Sequence, residues 1–278
     1  MKSFQNKTAA ITGAASGIGR ALATELASRG CNLALSDNNV EALEQTAEQA
    51  RTYGTIVTTQ KLDVRDRDAI YAWAEACADA HDQINLIFNN AGVALGSSIE
   101  GASDRDLHWI MDINYWGVVH GTRAFLPHLR ASGDGHVVNI SSVFGIAAVP
   151  SQGAYNATKF AVRGFTECLR QELEVTGAAV SASCVHPGGI KTNIARDARY
   201  DASARELTGH DETEGKARFE KLFMTSAKSA ANTILRGVQR NSRRVLIGVD
   251  AHAIDLAVRL MPSTYQRIVS GVTRLALR

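Results

Sequence analysis

Cysteine and proline are both scarce in this chain, four of each among 278 residues. Cys31, Cys77, Cys168 and Cys184 are scattered, with no C-x-x-C pair and no Cys/His cluster at metal-ligand spacing, which excludes a recognisable disulfide framework or zinc module. Each lies in an apolar or helical context, so buried free thiols are expected. Pro127, Pro150, Pro187 and Pro262 stand where helices or loops are expected to end, and no proline-rich or low-complexity linker cuts residues 1–190. Long apolar runs are missing too. None approaches the roughly 18 residues of a membrane-spanning helix, and Met1 to Lys7 holds no signal-peptide core, so a cytoplasmic protein is expected. Charge of one sign is also lacking: 30 Lys plus Arg against 28 Asp plus Glu leave +2, too balanced for a nucleic-acid surface. Asn6, Asn139 and Asn156 begin N-x-[ST] patterns of a length that chance supplies. With 45% hydrophobic and 21% charged residues, the chain reads as an ordinary globular protein whose function resides in a local site.

What is present is an alternation. Short apolar runs at Thr8 to Ile11, Asn32 to Leu35, Ile56 to Leu62, Ile84 to Phe88, His136 to Ile140, Ala179 to Val185 and Val245 to Ile247 are separated by segments of helical periodicity. Several runs are apolar throughout, as strands covered by helices on both faces should be. The expected fold is a doubly wound, mostly parallel, seven-stranded α/β sheet of Rossmann-like type, in a single domain over residues 1–278. Right-handed crossovers place the strand C-terminal ends on one edge, so ligand-binding residues should follow the strands. A charge-dense segment at about 194–228 reads as a mobile lid, and about 251–278 as a C-terminal helical extension.

Thr12 to Gly19 reads TGAASGIG, directly after the first strand and opening a helix for which Gly30 suits the C-terminal end. Gly13, Gly17 and Gly19 remove side chains that would hold a backbone away from a pyrophosphate, while Ser16, Gly17 and Ile18 lie at the helix start, where unpaired N–H groups favour an anion. Such a turn also occurs as a plain strand-to-helix connection. Asp37 ends the second strand, where a carboxylate can accept hydrogen bonds from a ribose diol; this argues for NAD, because a 2′-phosphate would meet like charge and neither Ser16 nor Asn38 offsets it. Arg20, close to the turn, keeps NADP open. A purely local role is available to Asp37 as well, starting a turn or capping the helix near Asn39. Asp63-Val64 follows the third strand and Asn89-Asn90-Ala91-Gly92 the fourth, both on the expected ligand edge, although turn chemistry alone favours these residue types.

Ser141 and Ser142 follow the fifth strand, and Tyr155 and Lys159 share a helix face in Y-N-A-T-K. A free phenol, with a pKa near 10, is a poor proton shuttle at neutral pH, and a nearby cation lowers such a value by about 1 to 3 pH units. Lys159 is spaced to do so, and a positively charged oxidised nicotinamide would add to the same field.

Taken in order, TGAASGIG, Asp63, NNAG, Asn114, Ser142, YNATK and the PGGIKT run from Pro187 to Thr192 resemble the short-chain dehydrogenase/reductase family in its single-domain form, over about residues 5–193. The resemblance implies that Tyr155 is the general acid or base, that Lys159 lowers its pKa and binds the nicotinamide ribose, and that Ser142 hydrogen-bonds the substrate oxygen, with Ser141 as its structural neighbour. Asn114 would hold a water linking Lys159 to solvent, unless it marks only a helix kink. Asn90 and Gly92 would contact the adenosine and ribose sides, Asp63 with Val64 the adenine, and Pro187, Gly188, Ile190 and Thr192 the nicotinamide side. The implied activity is reversible hydride transfer between NAD, with NADP as alternative, and an alcohol or carbonyl carbon, without a metal, in a homodimer or homotetramer built partly on the helices of Asn114 and Tyr155.

Phe144, Ile146 and Val149, with Phe219, Leu222 and Phe223 of the lid, suggest a pocket for a lipophilic alcohol or ketone. His186 reads as a packed or backbone-bonded side chain. Ile254 to Met261 and Tyr265 to Ala276 form two helical patterns around Pro262. At 100° per residue the second gathers Tyr265, Ile268, Val269, Val272, Leu275 and Ala276 on one arc, and Arg267, Arg274 and Arg278 opposite. Docking on the same domain or a second subunit is favoured over peripheral membrane contact. An NADPH-dependent carbonyl reductase and a non-catalytic dinucleotide-binding scaffold are the alternative functions, the second opposed by the intact Ser142, Tyr155 and Lys159.

Overall fold

Strands that are apolar on both faces can be stable only inside a sheet covered on both sides, and this sheet is parallel at every pairing. In the computed structural model, which describes residues 1–221 and 223–276, the strands are β1 (Thr8–Thr12), β2 (Asn32–Asp37), β3 (Val57–Lys61), β4 (Leu86–Asn89), β5 (Gly135–Ile140), β6 (Val180–Pro187) and β7 (Arg244–Ile247). Their order is β7-β6-β5-β4-β1-β2-β3. The switch point lies between β1 and β4, so the crevice above those two strands is where a ligand is expected. Strands β2 and β6 run beyond the apolar runs, to Asp37 and Pro187, because Ser36 and Asp37 continue the ladder with Gln60 and Lys61, and His186 and Pro187 with Leu246 and Ile247. Hydrophobicity cannot register such polar strand ends.

Helices α1 (Gly17–Ala27) and α2 (Val40–Arg51) lie on one face, and α3 (Arg67–Ala80) on the other. Then come α4 (Asp104–Met111), a π-helical turn at Asp112–Trp116, α5 (Gly117–Ala131) and the long α6 (Gly153–Val175). Past β6 lie α7 (Ala204–Thr208), α8 (Glu212–Lys221), α9 (Ala227–Gln239), α10 (Val249–Leu260) and α11 (Tyr265–Ala276). Leu22, Leu26, Ile234 and Leu235 of α1 and α9 close over Leu33 and Leu35; on the opposite face Ile70, Trp73, Phe125 and Leu129 cover Ile87 and Val137. Asn39, Asp66, Ser103 and Ser226 each accept from a backbone N–H in the first turn of the helix that follows, fixing where α2, α3, α4 and α9 begin.

Polar side chains stitch the sheet centre. Asn89 Nδ2 donates to Asn139 Oδ1 (2.8 Å) and Thr122 Oγ1 (3.1 Å), and Asn139 Nδ2 donates to Thr166 Oγ1 (3.0 Å), joining β4, β5, α5 and α6. Gly121 permits this approach, since a Cβ there would sit 2.1 Å from Asn89 Oδ1.

Two expectations are corrected. Pro127 lies inside α5 instead of ending a helix. It is exposed, as is Arg123 one turn earlier, so the carbonyl left without its N–H partner is on the solvent side. Cys168 is exposed on α6 with its thiol on Glu172, while Cys31, Cys77 and Cys184 are buried.

The segment at 194–228 is tied at both ends, Arg199–Tyr200 pairing with Leu95–Gly96 and Thr225–Ser226 with Ile190–Lys191. Arg199 stacks on the Trp109 ring at 3.7 Å and pairs with Asp106. Leu222 and Arg278 lie outside the described residues, as do the side chains of Phe219 and Ala276. Helix α11 meets the body through α7 and through the Tyr265 hydroxyl, which accepts from the Ala148 N–H at 3.1 Å, and it turns Ile268, Val272 and Leu275 outward. Among the described residues no helix is long and apolar enough to cross a membrane.

Two buried histidines make stability pH-dependent. Burial pushes His136, bonded to Ser183 Oγ, down to about 3, and His186 down to about 4. Both protonate near pH 6.5 when unfolded but remain neutral when folded, so their contribution is full above that pH and is lost as pH falls towards 4. We expect stability to fall by about 1.4 kcal/mol per pH unit for each histidine in that window. Urea unfolding at about pH 7 and about pH 5 measures it, and equal stabilities would contradict the assignment.

Candidate active site

The strand ends β1 and β4 are locked to each other before any ligand is considered. Thr12 Oγ1 accepts from the N–H groups of Asn90 (3.0 Å) and Ala91 (3.1 Å), while Asn90 Nδ2 donates to the carbonyls of Thr12 and Gly13, each at 3.0 Å. Gly19 packs beneath the turn, where a Cβ would fall 2.1 Å from the Gly13 carbonyl oxygen. Gly13 and Gly17 have φ of +67° and +54°, a region that favours glycine. The turn therefore depends on all three glycines, although Gly19 itself is hidden behind it.

Above this lock lies a cavity of 770 Å³. At one end are Gly13, Ser16, Gly17 and Ile18, with Asp37 beside them; Asp63, Val64, Asn90 and Gly92 form a wall; Ser142, Tyr155 and Lys159 stand at the other end, opposite Pro187, Gly188, Ile190 and Thr192. Of the catalytic and cofactor-binding residues expected from the sequence, Gly19 and Asn114 are the ones that do not line the cavity.

The glycine end suits an anion. Ser16 supplies no side-chain cap to α1 and the first turn of α1 holds no acidic residue, so the free N–H groups of that turn keep their positive field. Asp37 anchors the turn: Oδ2 accepts from the Ala15 N–H (3.0 Å) and Oδ1 from the Asn39 N–H (2.9 Å), while the cap of α2 falls to Asn39. The Arg20 guanidinium is committed to the carbonyls of Ala15 and Ala42 and to Thr46 Oγ1. Asp63 pairs with Arg65 at 2.6 Å, and that hydrogen bond holds its carboxyl below the usual range. These groups and the side-chain-free turn fit a dinucleotide lying from Asp37 towards Tyr155.

At the other end, the motif around Tyr155 builds its own support. Asn156 Nδ2 donates to the carbonyls of Phe144 (3.1 Å) and Ala147 (3.0 Å), pinning the segment after β5 onto α6. Ser141 Oγ donates to the Lys159 carbonyl at 2.8 Å. Ser142 Oγ accepts from the Phe144 N–H and is hydrogen-bonded with the Tyr155 phenol. Lys159 Nζ is 5.6 Å from the Tyr155 ring centre and donates to the Ile140 carbonyl at 3.1 Å.

Electrostatically this end departs from expectation. Burial pushes the Tyr155 phenol up to about 12, with the Ser142 hydrogen bond as the opposing influence, instead of a nearby ammonium drawing it down. Lys159 is itself pushed down to about 8 by burial, so its charged form is disfavoured by the same low dielectric. Asn114 is fully buried at this end. Its Oδ1 accepts from the Val93 N–H (2.8 Å), and its Nδ2 donates to the Val93 carbonyl (2.9 Å) and to Thr158 Oγ1 (3.2 Å). It sits in the π-helical turn, and both hydrogens of its side-chain amide are taken. His186 bonds the Ser142 carbonyl at 2.9 Å, as a packed histidine.

Phe144 packs edge-on against Tyr155 at 5.9 Å, and Ile194 and Phe223 line the same end. Ile146 is buried and, with Val149, lies off the cavity lining. Sequence reasoning missed Asp250 and Ile254 of α10, both at the cavity. Asp250 Oδ2 accepts from the Gly189 N–H at 2.6 Å and so holds the turn after β6. Three residues past β7, Asp250 obeys the rule that ligand-edge groups follow strands, and applying the rule to the seventh strand would have found it.

A family model described as short chain dehydrogenase matches residues 7–203. The chain is 47% identical over 272 residues to "Putative oxidoreductase SadH" of Mycobacterium tuberculosis, covering 98% of this chain and 96% of that protein. A short chain dehydrogenase/reductase from Burkholderia phymatum in complex with NAD superposes with a TM-score of 0.85 at 32% identity, over 95% of this chain and 96% of that one. Carveol dehydrogenase from Mycobacterium avium, in complex with NAD, gives 0.78 at 25% identity, over 89% and 98%.

The lock makes a contrast measurable. Gly19→Ala is expected to destabilise by about 1–3 kcal/mol, because backbone is what its methyl meets. Gly164→Ala, in open space on the exposed face of α6, is expected to stabilise by about 0.5–1 kcal/mol. Thermal unfolding of the two variants reads the difference, and equal midpoints would contradict the lock.

Proposed function

Because the chain belongs to the short-chain dehydrogenase family, we propose that it is an NAD-preferring oxidoreductase interconverting a lipophilic primary or secondary alcohol with its aldehyde or ketone. The observation that carries this reading is the convergence of Ser142, Tyr155 and Lys159 at one end of a cavity whose other end is the glycine turn. When bound, the nicotinamide supplies or accepts the hydride. Every other requirement falls to the chain.

In the reducing direction Tyr155, with its phenol up near 12, is fully protonated at neutral pH and donates its proton to the substrate oxygen as the carbonyl carbon becomes a carbinol. Ser142 Oγ, already hydrogen-bonded with that phenol, holds the same oxygen. Oxidation requires a phenolate, and the Lys159 ammonium together with the charge of the oxidised nicotinamide lowers the phenol in the loaded site. Lys159, aimed by the Ile140 carbonyl, would also hold the nicotinamide ribose. Asn114 acts as a positioning residue, tying Val93 of the cavity wall to Thr158 beside Lys159.

Asp37 supports the NAD preference, since its carboxylate faces the adenosine end and the nearby Arg20 is occupied by carbonyls. Gly13, Ser16, Gly17, Ile18 and Gly19 would carry the pyrophosphate, Asp63, Val64, Asn90 and Gly92 the adenosine half, and Pro187, Gly188, Ile190 and Thr192 the nicotinamide half. Phe144, Ile194 and Phe223 favour a lipophilic substrate, with residues 194–228 covering it as a lid. Exposed Trp116 beside α5 and Phe160 on α6 support a homodimer or homotetramer through those helices.

Tyr155→Phe is expected to lose about 10²–10⁴-fold in turnover across a panel of secondary alcohols, lipophilic aldehydes and ketones, with NADH binding by fluorescence titration unchanged. Retained turnover would refute the proton role. Asp37→Ala is expected to lower the ratio of NADH to NADPH affinity by about tenfold. An unaltered ratio would move the reading to an NADPH-dependent carbonyl reductase.

A further inference from the structure

The chain does not stop at the last strand. Helix α10 is built into the body on one side: Ala251 is buried, Asp250 holds the Gly189 N–H, and Asp255 pairs with Arg244 at 2.9 Å and Arg259 at 2.7 Å. Helix α11 is attached far more lightly, through α7 and the bond between Tyr265 and Ala148. Its positions 268, 272 and 275 follow the i, i+4, i+7 spacing of a single face, and that face points to solvent: Ile268, Val272 and Leu275 are 51%, 62% and 71% exposed. Leu260, at the turn into α11, is 72% exposed. Of the arc expected to dock on the domain or a second subunit, Tyr265 and Val269 are half-buried against the body, whereas Ile268, Val272 and Leu275 face solvent.

Charge selects the occupant. After Asp255 the sequence contains no acidic residue and four arginines, Arg259, Arg267, Arg274 and Arg278. Arg267 and Arg274 each precede an outward aliphatic residue, so they run along one flank of the strip, and among the described residues neither forms an ion pair. A second copy packed on this strip about a two-fold axis would oppose the same arginines with no carboxylate between them. A surface that is apolar within and anionic at its face meets both requirements.

We propose that α11 seats the protein on an anionic lipid bilayer, with Ile268, Val272 and Leu275 entering the interface and Arg267 and Arg274 on the headgroups. The attachment point gives the seat a consequence. Ala148, which α11 grips, belongs to the segment running from Ser142 and Phe144 of the cavity, and Ile254 of α10 lines the cavity itself. Helix α11 is therefore tied to the segment that leads from the substrate end, to which a lipid-dissolved alcohol or ketone would be delivered. That last clause rests on the proposed function; the seat does not.

The test is co-sedimentation of the full chain with phosphatidylcholine vesicles, with and without about one third phosphatidylglycerol. Pelleting is expected on the anionic vesicles, reduced by added salt, and weak on pure phosphatidylcholine. The triple variant Ile268→Ser, Val272→Ser, Leu275→Ser and the double variant Arg267→Glu, Arg274→Glu are each expected to lower partitioning by about tenfold or more. Their thermal midpoints and NADH binding should match the parent, and the charge variant keeps the test alive if the triple variant fails to fold. No pelleting by the parent, or equal pelleting by parent and variants, overturns the proposal. So does a triple variant that changes oligomeric mass in sedimentation velocity while vesicle binding stays the same, which would assign the strip to a second copy. Tyr155→Phe is expected to pellet like the parent, which separates failure of the seat from failure of the enzymatic reading.

Discussion

At the carboxyl edge of a parallel sheet the strands end with peptide groups that no further strand can satisfy, and in this protein the β1 and β4 ends satisfy one another. The Thr12 and Asn90 side chains make four hydrogen bonds to backbone across the gap, with the N–H groups of Asn90 and Ala91 and the carbonyls of Thr12 and Gly13. The Gly13 carbonyl is also what Gly19 packs against, so the strand ends, the turn and the start of α1 form one unit. The open N–H groups of α1 can face a ligand because the turn beneath them is closed by these bonds instead of by a cap. The neighbouring helices show the alternative, with α2, α3 and α4 each given a side-chain cap.

The reacting end obeys a different constraint, set by desolvation. A buried phenol and a buried ammonium are moved apart from their ordinary order, the first up to about 12 and the second down to about 8, which brings both towards their neutral forms. At neutral pH the phenol is protonated, while the Lys159 amine, at about 8, remains mostly in its charged form. Pre-organisation does the rest. Lys159 is held by the Ile140 carbonyl, its own carbonyl by Ser141, and the segment carrying Phe144 by Asn156, so the groups occupy their places in advance.

Much of this was legible in the sequence wherever a residue has one local cause. The seven strands appear because apolar runs between helical periods have few other solutions, and TGAASGIG, NNAG and YNATK fall on the ligand edge because the strands before them end there. Less legible were features caused by distant partners. Pro127 survives within α5 because its face is solvated, which no local pattern announces. The ties of the Asn114 amide to Val93 and Thr158 come from two other parts of the chain, and no local pattern announces them. The direction of the Tyr155 shift depends on burial, whereas spacing disclosed only that a lysine was near. Asp250 reaches the site from beyond the seventh strand, across the sheet edge.

The two halves of the cavity are therefore built by different means. The glycine half consists mainly of backbone fixed by strand ends, and a substitution there strikes main-chain atoms, as at Gly13, whose Cβ would come within 2.8 Å of Ala91 Cα. The other half is lined by side chains such as Phe144, Ile194, Phe223 and Ile254, of which Ile194 and Phe223 are carried on a segment that joins the body through short pairings. Exchanging those side chains alters the shape and polarity of the wall without touching the lock or the bonds that aim Lys159. Substitution is thus tolerated least in the glycine half and most along the side-chain wall of the other half. The C-terminal helices belong to the second part, since Ile254 lines the wall while α11 holds the segment leading from Ser142 to Ala148.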